Sequence, residues 1–345
     1  MTGEGEPYVS KLGRRIVRAS RAKAFARGLR TLARHSWAHA SSAALAFVPR
    51  VRSVTAGADP CAESLRVAVY VTFDRQGLAA DFVVAQVAAL AALGRRVIVV
   101  SNSPVLSPGA VAGLAPHVRA ILHRRNIGHD FGAYRDGLGA LGDVAGLDSV
   151  ILTNDSCFGP FADLGLVEAR AAEGGFDVFG ITDSWAHAYH VQSYYLYVGR
   201  AVLGSAAFAA FWRGLLISQP RSMVISHGEI GFTQAMLKAG FSAGAMCPYR
   251  DVARVARARA LSRLGEVGVL PRERAYLADL AEDVDFDVPL NPTYFFWDVL
   301  IQHFGSPFLK RDLLRRNLTQ QPGLVELDFL GADQAAGVLE SLKRA

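Results

Sequence analysis

Val150-Ile151-Leu152-Thr153-Asn154-Asp155-Ser156 is the stretch whose reading decides the fold. Its first three residues are apolar and mostly β-branched, the composition of a strand buried on both faces. Four small polar residues then end the run, and Cys157-Phe158-Gly159-Pro160 turns the chain. In an open α/β sheet, ligands sit at the carboxyl ends of the strands. A carboxylate at such an end can hold a divalent metal against a diphosphate or orient a ribose hydroxyl. Asp155 can equally cap the following helix, a common role for Asp.

Working upstream, Val67 to Phe73 reads as a first strand ending at Asp74, and Val97 to Val100 as a second ending in Ser101-Asn102-Ser103. Between them Phe82, Val83, Val87, Leu90 and Leu93 recur at helical spacing, with Gly94 as a C-terminal stop. Ala120 to Arg125 is a third strand and Asp177 to Thr182 a fifth. Strands alternating with helices predict βαβ units and a mainly parallel sheet with flanking helices. One rim then collects Asp74, Asn102, Asn126, Asp155 and Asp183. His190 to Val198 alternates as an edge or antiparallel strand. Ser41 to Ala62 reads as linker, and 250–290 as a charged helical excursion. The tail around Arg311, Arg315 and Arg316 reads as ordinary amphipathic helix.

Composition bounds the function classes. Hydrophobic residues make up 51% and charged residues 20%, which is globular rather than disordered. Three cysteines without C-x-x-C spacing argue against a disulfide framework or zinc site and suit a reducing cytoplasm. No run reaches the ~18 apolar residues of a membrane span. The net charge of +6 belongs to one segment: residues 11–52 carry eleven Lys/Arg and no Asp/Glu, leaving 26 basic against 31 acidic residues elsewhere. From Lys11 to Ala38 that segment is an amphipathic helical arm, read either as a solvated arm or as one lying on an anionic leaflet. Nucleic acid is disfavoured, because the remainder is acidic and shows no stacking motif.

Arg124 through Leu138 joins the third strand to a helix at the rim. Gly128 and Gly132 allow close backbone approach, and Arg124, Arg125 and Arg135 could neutralise a diphosphate. A plain helix capped by Asp130 is the alternative. Gly137-Leu138-Gly139-Ala140-Leu141-Gly142 fits G-x-G-x-x-G formally but follows a helix, the wrong context for a dinucleotide fingerprint. Asp183, Trp185 and His190 could line a sugar pocket. Ser226-x-x-Glu229 is either a capping box or places Glu229 at the rim as a general base. No G-x-S-x-G, H-E-x-x-H or P-loop is present.

Together, Asn126-x-Gly128-x-Asp130-Phe131-Gly132-Ala133-Tyr134, Leu152 to Ser156 with Gly159-Pro160, Gly180 to Ser184, and His190-x-Gln192-Ser193-Tyr194 resemble the rhamnan synthesis protein F family. So do Phe208-x-x-Phe211-Trp212, the Glu229 helix, and Asn291-Pro292-Thr293 through Pro307 to Lys310. The resemblance covers about residues 66–320 and leaves the basic arm outside. It implies a glycosyltransferase of GT-A-like fold; the cysteine usage places it in the cytoplasm, and the basic arm, if it lies on an anionic leaflet, at the inner face of the bacterial membrane. Such an enzyme would move a deoxyhexose, rhamnose being expected, from a nucleotide diphosphate sugar to a cell-surface polysaccharide such as lipopolysaccharide, with inversion. On that reading 1–60 is arm and linker, 61–249 the nucleotide-sugar-binding core, and 250–345 a helical extension packed on it. Asp155, with Asn154, would hold Mg²⁺ or Mn²⁺. Asp74, Arg124, Asn126, Gly128, Asp130 and Arg135 would shape the donor site, and Trp185, His190 and Gln192 the acceptor side. Glu229 is the expected base and Asp183 the second choice. Where inverting glycosyltransferases of the GT-A fold, which the order of elements also resembles, carry a carboxylate pair after the fourth strand, this chain has Asn154-Asp155, with one carboxylate, which also admits a non-catalytic partner in an assembly complex. A phosphotransferase acting on lipid-linked sugars is a third possibility.

Overall fold

The computed structural model describes residues 42, 45, 48–217, 220–316 and 338. The basic stretch at 11–38 lies outside the described residues. The strands are β1 (Val51–Ala56), β2 (Arg66–Thr72), β3 (Arg96–Ser101), β4 (Ala120–Arg124), β5 (Ser149–Asn154) and β6 (Cys157–Phe158). They continue with β7 (Val178–Ser184), β8 (His190–Val191), β9 (Tyr195–Gly199), β10 (Ala243–Cys247) and β11 (Leu309–Lys310). Nine of them form one sheet in the order β1-β4-β3-β2-β5-β9-β7-β10, with β8 paired to β7 beside that path.

β2, β3, β4 and β5 are mutually parallel along the sheet. β9 runs antiparallel to both β5 and β7, and β10 is parallel to β7. Six strands therefore point one way, and their carboxyl ends share a rim. From β2 the chain winds outward through β3 and β4, then returns to place β5 on the other side of β2. The reversal opens a crevice between the ends of β2 and β5, where open α/β sheets take their ligands.

Alternate residues of each strand feed two cores. Ala68, Tyr70, Val97, Val99 and Ile151 pack with the crossover helices α1 (Asp81–Ala92), α2 (Pro108–Leu114) and, further along, Gly165–Glu173. Val67, Val69, Ile98, Val100, Val150 and Leu152 face the opposite side and pack with α3 (His129–Leu141), α4 (Ala206–Gly214) and α5 (Gly231–Lys238). Burial on both faces explains why these strands read as continuous apolar runs. Gly137, from the discarded glycine motif, is a packing residue: a Cβ there would lie 2.5 Å from Val69 Cγ1.

Two expectations are corrected. Residues 51–56, read as linker, form β1, an antiparallel edge strand on β4. Its side chains are largely exposed, so backbone pairing rather than an apolar pattern holds it. The His190–Val198 run is two strands; β9 is antiparallel, one of the two alternatives read for it, but lies inside the sheet rather than at its edge. Beyond β10, α6 (Tyr249–Leu264) and α7 (Pro271–Asp285) make the expected helical excursion. β11 then returns to pair antiparallel with β6, Lys310 opposite Cys157.

Candidate functional site

A cleft of about 650 Å³ opens at the β2/β5 crevice. Asp155, the residue after β5, lines it together with Phe73, which follows β2. Thr72 Oγ1 and the Phe73 N–H each donate to Asp155 Oδ2 at 3.0 Å, so the carboxylate bridges the two strand ends. Burial pushes its pKa up, while Arg311 and these donors pull the other way.

A polar chain leads from Asp155's neighbour to Glu229. Asn154 Nδ2 donates at 3.2 Å to both Asp130 Oδ2 and the Tyr134 hydroxyl, and its Oδ1 accepts from Ser156 N–H at 3.1 Å. The Tyr134 hydroxyl donates to the Ser193 carbonyl at 3.1 Å. Ser193 in turn donates to Glu229 Oε2 through N–H at 2.7 Å and Oγ at 2.5 Å. His190 Nε2 lies 3.5 Å from the other carboxylate oxygen. Burial would raise the Glu229 pKa, but the His190 and Ser193 hydrogen bonds outweigh it and hold the carboxyl below its ordinary value. His190 is the converse: burial lowers its pKa, and Glu229 more than reverses that. Glu229 is thus ionised at neutral pH and lines the same cleft as Asp155.

Glu229 does not sit on a capping box. It belongs to a π-helical turn, Ile225–Ile230, continuous with the helix before it and with α5 after it. Ser226 lies inside that helix and bonds back to the Met223 carbonyl at 3.2 Å. Such turns inside helices often occur at functional positions.

The opposite wall comes from a segment to which the sequence reading gave no role. The β11–β6 pairing delivers Lys310, Arg311, Arg315 and Arg316 to the cleft, with Asp312 among them. Lys310 Nζ donates to Ser156 Oγ at 3.0 Å and lies 5.5 Å from the Tyr194 ring centre. Arg311 Nη1 donates to the Asp155 carbonyl at 2.7 Å. Arg315 and Arg316 are exposed at the mouth.

Of the donor-side residues named from sequence, Asn126, Asp130, Asn154 and Asp155 line the cleft. Gly128 is the left-handed residue (φ 79°) that starts α3, and a Cβ there would crowd Ile217 at 3.1 Å. Arg124 is fully buried, bonded to Asp136 Oδ2 (2.8 Å), Asn102 Oδ1 (2.5 Å) and the Ile127 carbonyl (2.7 Å), so it cannot reach a diphosphate. Arg135 does not line the cleft. Neither does Asp74, whose Oδ1 accepts from Gln76 and Leu78 N–H in a local turn. On the acceptor side Gln192 lines the cleft, while His190 lies behind Glu229. Trp185 is away from it, tilted on Tyr189 with Arg250 over its ring. Asp183 is buried and accepts the Tyr249 N–H at 2.5 Å, serving the first turn of α6 where the N-cap, Pro248, has no side-chain acceptor. Ser193 and Lys310 also line the cleft and Tyr134 joins its polar chain; all three stand inside the motifs, with no local signal that singles them out.

The expected metal fits poorly. Asn154 spends both ends of its amide on protein partners, and Asp155 Oδ2 has two donors and Arg311 Nη1 at 3.6 Å. Among the described residues no cluster of three or more His, Cys, Asp or Glu is placed to hold an ion.

Residues 97–253 match the rhamnan synthesis protein F family. The matched span runs from β3 into α6 and carries Asn126, Asp130, Asn154, Asp155, His190 and Glu229. It supports a role in polysaccharide biosynthesis. An uncharacterized protein of Sinorhizobium fredii, y4gN, is 26% identical over 309 residues, covering 81% of this chain and 78% of that protein. Virulence protein VirA of Vibrio anguillarum is 28% identical over 211 residues, covering 59% of this chain and 64% of its own length. No solved structure matches. No described helix is long and apolar enough to cross a membrane.

Proposed function

We propose that the rhamnan synthesis match marks an inverting glycosyltransferase of GT-A-like fold. It moves a deoxyhexose, rhamnose first among the sugars to try, from a nucleotide diphosphate donor to a cell-surface glycan. The observation that carries this reading is the shared cleft: an ionised carboxylate, Glu229, and a run of cations line one cavity at the strand-reversal crevice. An acceptor hydroxyl gives its proton to Glu229 as its oxygen attacks the anomeric carbon. The bond from that carbon to the diphosphate breaks, and its electron pair leaves with the nucleotide. Preorganised positive charge at the leaving group lowers the barrier most. Asn126 and Asp130 shape the donor side and Gln192 the acceptor side.

Purified full-length protein incubated with a panel of nucleotide sugars and a rhamnan acceptor tests this. Release of nucleoside diphosphate with matching glycan extension is expected. Donor binding without turnover for every sugar and acceptor would instead favour a non-catalytic assembly partner. The basic arm at residues 11–38 is given an anionic membrane surface as its partner, tested by liposome sedimentation with and without residues 1–40, which leaves β1 in place; equal pelleting of the two would defeat it.

A further inference from the structure

Transfer from a nucleotide diphosphate leaves two phosphates to be neutralised, and the cleft has two ways to do it. A divalent ion would need ligands beside Asp155, but its neighbour is Asn154, a neutral amide whose Nδ2 is held by Asp130 and Tyr134 and whose Oδ1 already accepts the Ser156 N–H. Arg311 Nη1 already stands 3.6 Å from the Asp155 carboxylate, where an ion bound at that oxygen would meet a like charge. The second way is protein cations. Lys310 and Arg311 are fixed on the Ser156 hydroxyl and the Asp155 carbonyl, and Arg315 and Arg316 stand exposed at the opening. The cleft's carboxylates are Asp130, Asp155, Glu229 and Asp312. Of these, Glu229 pairs with His190 at 3.5 Å, while Asp155 faces Arg311 at 3.6 Å and offsets part of that one cation's charge.

Resting on the proposed donor chemistry, we propose that Lys310, Arg311, Arg315 and Arg316 form the diphosphate site and act in place of a divalent metal. Arg311 and Lys310 meet the phosphates from fixed positions, as preorganised charge should. Arg315 and Arg316 close on them from the mouth, through charge-assisted hydrogen bonds. The leaving diphosphate then departs against guanidinium and ammonium groups, and no ion has to be bound or released.

Calorimetric titration of the full chain with inorganic pyrophosphate in EDTA tests this without any sugar. Binding is expected in EDTA, with no tightening on adding Mg²⁺. K310Q and the double variant R315Q/R316Q should each weaken it by about tenfold or more. Because R315Q/R316Q alters only exposed side chains, its fold should survive, and circular dichroism checks that it has. Pyrophosphate binding that needs Mg²⁺, or that both variants keep at wild-type strength, would overturn the assignment. A parallel donor assay separates this from the transferase reading. Sugar transfer that stops in EDTA would sink the metal-free site and leave the transferase standing. Pyrophosphate bound in EDTA with no nucleotide sugar bound would keep the anion site and remove the transferase.

Discussion

Arg311 Nη1 donates to the main-chain carbonyl of Asp155 at 2.7 Å and lies 3.6 Å from its carboxylate, although 156 residues separate the two in the chain. The same carboxylate takes Thr72 Oγ1 and the Phe73 N–H. Asp155 is therefore the joint between the ends of two central strands and the cationic wall. Asp155→Ala unties the two strand ends and removes the 3.6 Å carboxylate contact to Arg311, though not its main-chain bond, and should lower transfer about 10²-fold through misplacement while the sheet stays folded. Steady-state rates beside far-ultraviolet circular dichroism check it, and wild-type turnover would remove Asp155 from the site.

Glu229 and His190 support each other, and their titrations give the pair a pH window. His190 is raised in the folded state, so its contribution to stability is complete below its unfolded value, about 6.5, and fades as pH climbs through the higher folded value. Glu229 is lowered, so its contribution is complete above its unfolded value, about 4.3, and fades as pH falls through the lower folded one. Thermal stability should therefore hold between those values and decline on the alkaline side. Melting temperature against pH for wild type and His190→Gln is the measurement. The variant should show a flatter alkaline limb, and parallel limbs would mean that the 3.5 Å contact carries no charge coupling. Glu229→Gln keeps an acceptor for Ser193 but no base, and should cost about 10²–10⁴ in turnover.

Arg124 illustrates what residue type cannot reveal. In the sequence it stands beside a glycine-rich turn at the rim, as a phosphate ligand would. In the fold it is sealed under α3 and bonded to Asp136, which Arg50 also contacts at 3.0 Å. Breaking a buried pair from one side costs ~3–5 kcal/mol, and Arg50 should hold the loss near the lower end. Arg124→Met should therefore lower the unfolding free energy from denaturant titration by that amount, at unchanged m-value, and leave the KM for donor unchanged. A variant with native stability and weakened donor binding would restore the phosphate role.

The legible parts of this chain are those in which neighbours in sequence are neighbours in space. β2, β3 and β5 are apolar because both faces are covered, and the polar residues ending them mark the rim. A carboxylate near a helix start is a local pattern and so singles out Glu229, which lines the cleft, but the residue rides on a π-turn rather than a capping box. β1 left no apolar signature because an exposed edge strand needs none. Lys310 and Arg311 were illegible for a different reason. Their place beside Ser156 depends on a two-residue pairing, β11 on β6, that closes more than 150 residues of chain. Asp74 and Asp183 have the composition of ligands but serve a turn and a helix end.

Gly228 precedes Glu229 on the π-turn and faces α3 with no room to spare. A Cβ there would lie 2.6 Å from Phe131 Cγ. Phe131 cannot swing aside: it is stacked on Trp212 at 6.0 Å and meets Tyr134 edge-on at 5.6 Å. Gly228→Ala must therefore push the turn away from α3 and carry the Glu229 carboxylate off its Ser193 donors. Overpacking of this kind costs about 1–3 kcal/mol, and the fall in turnover should exceed what the lost folded fraction accounts for. Gly139→Ala is the control, since α3 leaves that position open with nothing within 4 Å of the added carbon. Removing a glycine from a helix interior there should raise stability by about 0.8–1.0 kcal/mol. Denaturant titration and steady-state rates on both variants separate the two effects. Equal turnover per folded molecule in Gly228→Ala and wild type would show that the π-turn does not set the position of the base.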